Sequence, residues 1–379
     1  MNKKSTYKTN IFTLCVLFFF ISCSTQKKYY LFIGTYTDTD SKGIYVYEFD
    51  SHTGEAKWVS NTDSVTNPSW VTVSSDRKYV YSVNETNGSN PGRITAYSFN
   101  RDSGTLHFLN TTVSGGDDPC FISTSSDNKW LTVANYSSGS AAVFPINKDG
   151  SVRPYTQLIH DSIYRNPGEN MAAHVHETVF SPDEKYMLTP DLGLDRVMIY
   201  HFDPSTDKPL VLSSPSSVAS VLGSGPRHIV FHPNKKFAYL IHEMGGTITV
   251  YHYNEGKLSQ VQESPTFPDG FTGKKDGAEV CVSPDGKFLY TSNRGDLNSI
   301  AIFSIDQADG KLTLKGYQSS LGSGPRNFVI DPTGNYLLAA NQASANIVIF
   351  KRDKETGLLT KTGQEIHVPR PVCLQIIPE

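Results

Sequence analysis

The sequence predicts an all-β fold, a seven-bladed β-propeller with four antiparallel strands per blade, and three observations predict it. A short apolar run followed by a tight turn recurs seven times, at intervals of 51, 56, 51, 51, 48 and 46 residues. Short runs with period-2 alternation fill each interval, and long helical periodicity is absent. The two chain ends carry complementary parts of one further unit. Units of this length with four strands each mark a propeller, whose radial closure protects the sheet edges.

The repeats begin PSWVTVSSD at Pro68, PCFISTSSD at Pro119, VHETVFSPD at Val175, PRHIVFHPN at Pro226, GAEVCVSPD at Gly277, PRNFVIDPT at Pro325 and PVCLQIIPE at Pro371. In each full unit a strand meets a turn such as Ser283-Pro284-Asp285-Gly286, and a second apolar run such as KFLYTSN returns. Proline presets the turn backbone and Asp or Gly relieves the next positions, so the two runs form a hairpin. An alternating third run follows (TITVYHYN, SIAIFSID), then a more polar fourth (KLSQVQES, KLTLKGYQ). At the N-terminal end YYLFIGTY, KGIYVYEF and AKWVSNT supply strands two to four, and PVCLQIIPE supplies the missing first strand from the C-terminus. Joining them closes the ring without an unpaired edge. A length of 379 residues suggests two or three domains at roughly 150 residues each. The repeat turns that length into a single ring instead.

Ahead of the ring, Lys3, Lys4 and Lys8 precede the apolar run Ile11 to Ile21, about half of what a spanning helix needs. This pattern reads as an export signal over residues 1–22. The run ends Phe20-Ile21-Ser22-Cys23, which resembles a bacterial lipobox, so Cys23 is the expected lipidation site, residues 23–28 a tether, and 29–379 the propeller. Cys120, Cys281 and Cys373 are odd in number and widely spaced, which suits neither a disulfide framework nor a metal site. Formal charge is −3 with no basic cluster, which argues against nucleic acid as a partner. Membrane contact is expected only through the lipid, and the chain is expected to be a monomer in an exported, periplasmic or cell-surface location.

Counting from the first residue of each repeat, offsets 1 and 17 flank the two ends of one hairpin and fall side by side at one mouth of the channel. Offset 1 holds Ser69, Cys120, His176, Arg227, Ala278, Arg326 and Val372; offset 17 holds Glu85, Tyr136, Leu192, Glu243, Arg294 and Gln342, with Tyr36 as the equivalent in the composite blade. A propeller needs no charge there. Arginine forks suit a carboxylate or phosphate, and a histidine beside a glutamate can move a proton near neutral pH. The candidate catalytic residues are therefore His176, Arg227, Glu243 and Arg294, with Arg326, Glu85, Gln342 and His174 as substrate contacts. His174 and His176 alternate onto one strand face but find no third ligand at a recognisable spacing, so no metal is expected. His228 and His232 read as capping or packing residues. Nucleophile-elbow, Walker and dinucleotide motifs are all absent, and no cofactor is expected.

The segments HVHETVFSPD (174–183), GPRHIVFHPNKKFAYLIHE (225–243), SPDGKFLYTSNR (283–294), GPRNFVIDPTGNYLLAANQ (324–342) and FIGTYT (32–37) together resemble the β-propeller 6-phosphogluconolactonase family, itself related to the fungal carboxy-cis,cis-muconate cyclase. The resemblance covers about residues 29–379. It implies a cofactor-free lactonase acting on a small anionic lactone, with His176 (or His174), Arg227, Glu243 and Arg294 at the matching positions. The same site run as a lactonising cyclase or isomerase, and a non-catalytic surface-tethered binding propeller, are the alternatives. The export signal departs from a cytoplasmic sugar-phosphate role, so the reaction class carries over more readily than the phosphate.

Overall fold

A computed structural model describes residues 1–6, 28–161 and 172–379, which places the leader run and Cys23 outside the described residues. Among the described residues there are seven separate four-stranded antiparallel sheets and no α-helix. Blade 1 is the composite: Pro371–Pro378 pairs with Lys28–Thr35, followed by Tyr45–Asp50 and Ala56–Asn61. Its closing ladder runs from Tyr29 opposite Pro378 to Thr35 opposite Pro371. Blades 2 to 7 follow in chain order, with inner strands Val71–Val73, Pro119–Thr124, Val179–Phe180, Pro226–Phe231, Gly277–Val282 and Pro325–Ile330.

The core is divided among the blade interfaces. Seven hydrophobic clusters each join two neighbouring blades, from Ile33, Leu338 and Ile366 between blades 7 and 1 to Leu188, Ile229 and Leu240 between blades 4 and 5. Alternation explains this: each buried middle strand presents one set of side chains to the preceding blade and the other to the next. Losing one interface would open the ring, so closure through blade 1 is energetically part of every other contact.

Two recurring devices hold the strands in register. Ser283 Oγ donates to Asp285 and receives the Phe288 amide at 3.0 Å, while the Asp285 carboxylate accepts the Lys287 amide. The same Ser–Asp turn recurs at Ser74, Ser125 and Ser181. At offset 16, Asn84, Asn135, Asn293 and Asn341 each donate a side-chain amide to a carbonyl of the incoming linker (Thr66, Ser114, Thr266 and Ser320). These asparagines are linker clamps.

Candidate active site

The geometry at the mouth originates in a β-bulge. In blades 1, 3, 5, 6 and 7 the inner ladder slips by one residue just past offset 0, for example between Pro226 (opposite His242) and His228 (opposite Ile241). The extra residue is the one at offset 1, and a bulge re-aims that side chain out of the ladder. The residue entering the strand is left-handed at Asn67, Asp118, Gly225, Gly324 and Arg370, which turns the linker sharply into the channel.

Arg227 and Glu243 meet as the offsets require: Arg227 Nε donates to Glu243 Oε2 at 2.9 Å, and Nη1 donates to the Ala278 carbonyl at 2.5 Å. Arg294 Nη2 reaches the same Glu243 oxygen at 3.0 Å and Asp276 at 2.5 Å. Burial raises the Glu243 carboxyl, but Arg294, Arg227 and Arg326 overcome it and hold it below the usual range. Glu243 is thus an ionised strut between two arginines. It does not hydrogen-bond His176, so the expected His–Glu pair is replaced by an Arg–Glu–Arg chain.

Arg326 differs from both. Its guanidinium lies 5.6 Å from the Tyr36 ring centroid and makes no hydrogen bond or ion pair with any described residue. Tyr36 Oη donates to Glu85 at 2.8 Å, and Ser69 Oγ donates to the other Glu85 oxygen. Burial raises Glu85 despite the opposing charge of Arg326. Arg326 acts electrostatically on Tyr36, Glu85, Tyr136, His176, Arg227 and Glu243, which places it at the centre of the mouth.

His176 is 4 % exposed. Its ring stands edge-on to Tyr136 (5.6 Å) and His228 (5.0 Å), Nδ1 lies 3.9 Å from Cys120 Sγ, and Nε2 has no protein partner among the described residues. Burial, then Arg227, His228 and Arg326, push its pKa well below the ordinary histidine value, so the ring is neutral with a lone pair to offer. His174 instead stacks on Tyr136 at 4.6 Å and bonds the Tyr136 carbonyl through Nδ1, which makes it a wall of the mouth. Gln342 is half-buried at the rim, held only through its backbone to Gly324. A cavity of about 420 Å³ is lined by Tyr36, Asn67, Glu85, Thr86, Asn87, Asn90 and Asp118, on the Tyr36–Glu85 side of the mouth, and His176, Arg227, Glu243, Arg294 and Arg326 do not line it.

Sequence reasoning missed the layer below. His232 caps a turn as expected, its Nδ1 accepting the Asn234 amide. His228 does not pack passively: its Nδ1 lies 3.2 Å from Glu279, which also accepts from Asn327. Glu177, 5 % exposed, accepts the Ile229 amide at 2.6 Å and lines a cavity of about 220 Å³ with Trp70, Phe121, His228 and Glu279. Burial, reinforced by Glu279, pushes Glu177 well above the carboxylate range, whereas His228 and Arg227 overcome burial at Glu279 and hold it down. Trp70, Phe121, Glu177, His228, Glu279 and Asn327 all sit at offset 2. Strict alternation turns offset 2 away from offset 1, but in blades 3, 5, 6 and 7 the bulge relaxes that alternation. Among the described residues no three His, Cys, Asp or Glu side chains converge in metal-ligand geometry.

The fold and this mouth define a seven-bladed propeller with a cationic, histidine-bearing channel entrance. Residues 30–376 match the family model for the lactonase seven-bladed β-propeller, and the chain belongs to that family. It is 36% identical over 354 residues to the 6-phosphogluconolactonase of Bacillus subtilis (strain 168), covering 92% of this chain and 99% of the relative. It is equally 36% identical to a 6-phosphogluconolactonase of Formosa agariphila, covering 91% and 99%. Among solved structures, the Pseudomonas aeruginosa periplasmic gluconolactonase superposes with a TM-score of 0.87 at 37% identity, covering 92% of this chain and 99% of that one.

Proposed function

We propose that the chain hydrolyses an aldonolactone at the mouth formed by His176, Arg326, Arg227, Glu243 and Arg294. The observation that carries this reading is the pairing of one unpartnered guanidinium, Arg326, with one unpartnered, neutral imidazole nitrogen, His176 Nε2. His176 takes a proton from a water molecule as the water oxygen bonds to the lactone carbonyl carbon. Arg326 and the free Nη2 of Arg227 face the oxygen on which negative charge develops. On collapse the ring C–O bond breaks, His176 returns its proton to the departing alkoxide, and the hydroxy acid then ionises to solvent. Glu243 does not serve as base, because its Oε2 is already engaged by both Arg227 and Arg294, whereas His176 Nε2 is unengaged among the described residues. Its part is to fix Arg227 and Arg294. Tyr36, Glu85, Gln342 and His174 shape the pocket around the sugar hydroxyls.

The naming of relatives as 6-phosphogluconolactonase and periplasmic gluconolactonase supports an aldonolactone substrate, with the phosphate left to the assay. The Lys-rich leader and the Ser-Cys ending its apolar run support export and lipidation at Cys23. Loss of membrane association in Cys23→Ala tests that part. The catalytic proposal is tested by following acid release from glucono-δ-lactone and its 6-phosphate above spontaneous hydrolysis. Wild-type turnover with a drop of about 10²-fold or more in His176→Asn is expected; background rates for both lactones, or an unaffected folded variant, overturn it.

A further inference from the structure

Resting on the lactonase reading, we infer that the substrate extends outward from the mouth, and that a neutral glycosyl group occupies the cleft between blades 1 and 2. A second cavity, of about 500 Å³, lies there, and its lining includes Thr86 and Asn90, which also line the mouth cavity of about 420 Å³. Each falls within the roughly 300–1,000 Å³ of small-ligand sites. The arrangement leads from Tyr36 and Glu85 at the centre, past Thr86 and Asn90, to Arg93 and Phe108 between the blades.

The chemistry of the cleft suits a hydroxylated ring. Phe108 stands 62% exposed, edge-on to Tyr97 at 6.5 Å, and offers a flat apolar face to the C–H side of a pyranose. The blade repeat does not require an aromatic there: in the same outer-strand ladder position, opposite Tyr200, Tyr251, Phe303 and Phe350, stand Leu212, Gln260, Leu314 and Lys361, and among the blades paired at this position only the two that flank the cleft carry aromatics, Trp58 opposite Tyr47 and Phe108 opposite Tyr97. The side chains of Asn90, Arg93 and Asp63 have no hydrogen-bond or ion-pair partner among the described residues, so they remain free for sugar hydroxyls. The walls behind them are fixed: Thr95 Oγ1 donates to Asn84 at 2.7 Å, Asn84 donates to the Thr66 carbonyl, and Thr111 Oγ1 donates to the Ile94 carbonyl. Around the mouth cavity, Asn67 and Glu85 exchange hydrogen bonds, and Asn87 donates to both Asp118 oxygens. Arg93 and Asp63 place one cationic and one anionic side chain in the cleft, so a neutral sugar suits it better than a second phosphate. A disaccharide-sized aldonolactone follows, with its lactone ring at Arg326 and its glycosyl ring against Phe108.

The test compares cellobiono-δ-lactone with glucono-δ-lactone, and adds calorimetric binding of cellobionate to the His176→Asn protein. Phe108→Ala and Arg93→Ala are each expected to lower kcat/KM for the disaccharide lactone about tenfold, mainly through KM, with glucono-δ-lactone unaffected. Cellobionate is expected to bind more tightly than gluconate, and to lose that advantage in Phe108→Ala. Equal kcat/KM for both lactones in wild type, or equal losses on both in the variants, overturns the inference while leaving lactonase activity standing. Phe108-dependent cellobionate binding without turnover of either lactone would support the cleft and refute the lactonase reading.

Discussion

Replacing Arg326 by Gln separates catalysis from architecture more cleanly than any other change at the mouth. Its guanidinium has no hydrogen bond or ion pair to lose, so removing it orphans no protein acceptor; what is lost is its contact with the Tyr36 ring and its field at Glu85 and Glu243, about 1–2 kcal/mol. Removing a charged donor aimed at a developing oxyanion costs about 10²–10³ in kcat, or about 3–4 kcal/mol of transition-state stabilisation. Arg227→Gln is the contrasting case. That side chain is 2 % exposed, bonded to Glu243 and the Ala278 carbonyl, and breaking a buried pair leaves a charge uncompensated at a cost of roughly 3–5 kcal/mol. Thermal unfolding and lactone hydrolysis measured on both variants should give a stable, nearly inactive Arg326→Gln and a clearly destabilised Arg227→Gln. A stable, fully active Arg326→Gln, or equal destabilisation of the two, would show that the unpartnered arginine is not the anion-binding group.

Three further outcomes follow from the same structure. Glu243→Gln releases Arg227 and Arg294 from their shared carboxylate, so product aldonate should inhibit about tenfold more strongly while the fold weakens, read by inhibition constants and unfolding. Asn293→Ala, which removes a buried clamp on the Thr266 carbonyl at 2.6 Å, should cost about 1–3 kcal/mol in denaturant unfolding without altering KM. Asp161, fully buried and bonded to Tyr200, is raised to about 8 by burial and then by Asp191. A raised folded-state value means the native protein holds a proton the unfolded chain has lost, so this group's contribution is full below pH 3.8 and is lost as pH climbs to about 8. The stability of Asp161→Asn relative to wild type should therefore rise with pH across that window, by up to about 1.4 kcal/mol per unit, and level off above it; a flat difference would refute the assignment.

Much of the fold was legible because a propeller repeats its instructions. The spacing of the Pro-headed motifs gave the blades, and the missing first strand at the N-terminus gave the composite closure that Thr35 and Pro371 now show. Hairpin geometry alone put Arg227 beside Glu243 and Ser69 beside Glu85. What alternation hides is the bulge. A single extra residue at offset 1 re-aims the strands that carry His228 and Glu279, whereas Glu177 sits in blade 4, whose inner ladder is unbulged, and no composition signal marks the slip. Inner strands in blades 2 and 4 start later than the motif does, at Val71 and Val179 rather than Pro68 and Val175, because the entry segment turns before it pairs: Ser69 bonds back to the Asn67 carbonyl, and Val175 makes only an isolated bridge with Asp191. Which arginine is tied and which is free depends on neighbours from other blades, Asp276 and Ala278 among them. That knowledge lies in the ring's assembly and not in any one repeat.

The most direct measurement of the central claim is a crystal structure of the His176→Asn protein with gluconate. The carboxylate, standing where the lactone carbonyl reacts, should sit on Arg326 within hydrogen-bond distance and next to the position of His176 Nε2, with the Arg227–Glu243–Arg294 chain unbroken. Gluconate bound away from Arg326, or displacing Glu243 from its two arginines, would contradict the account.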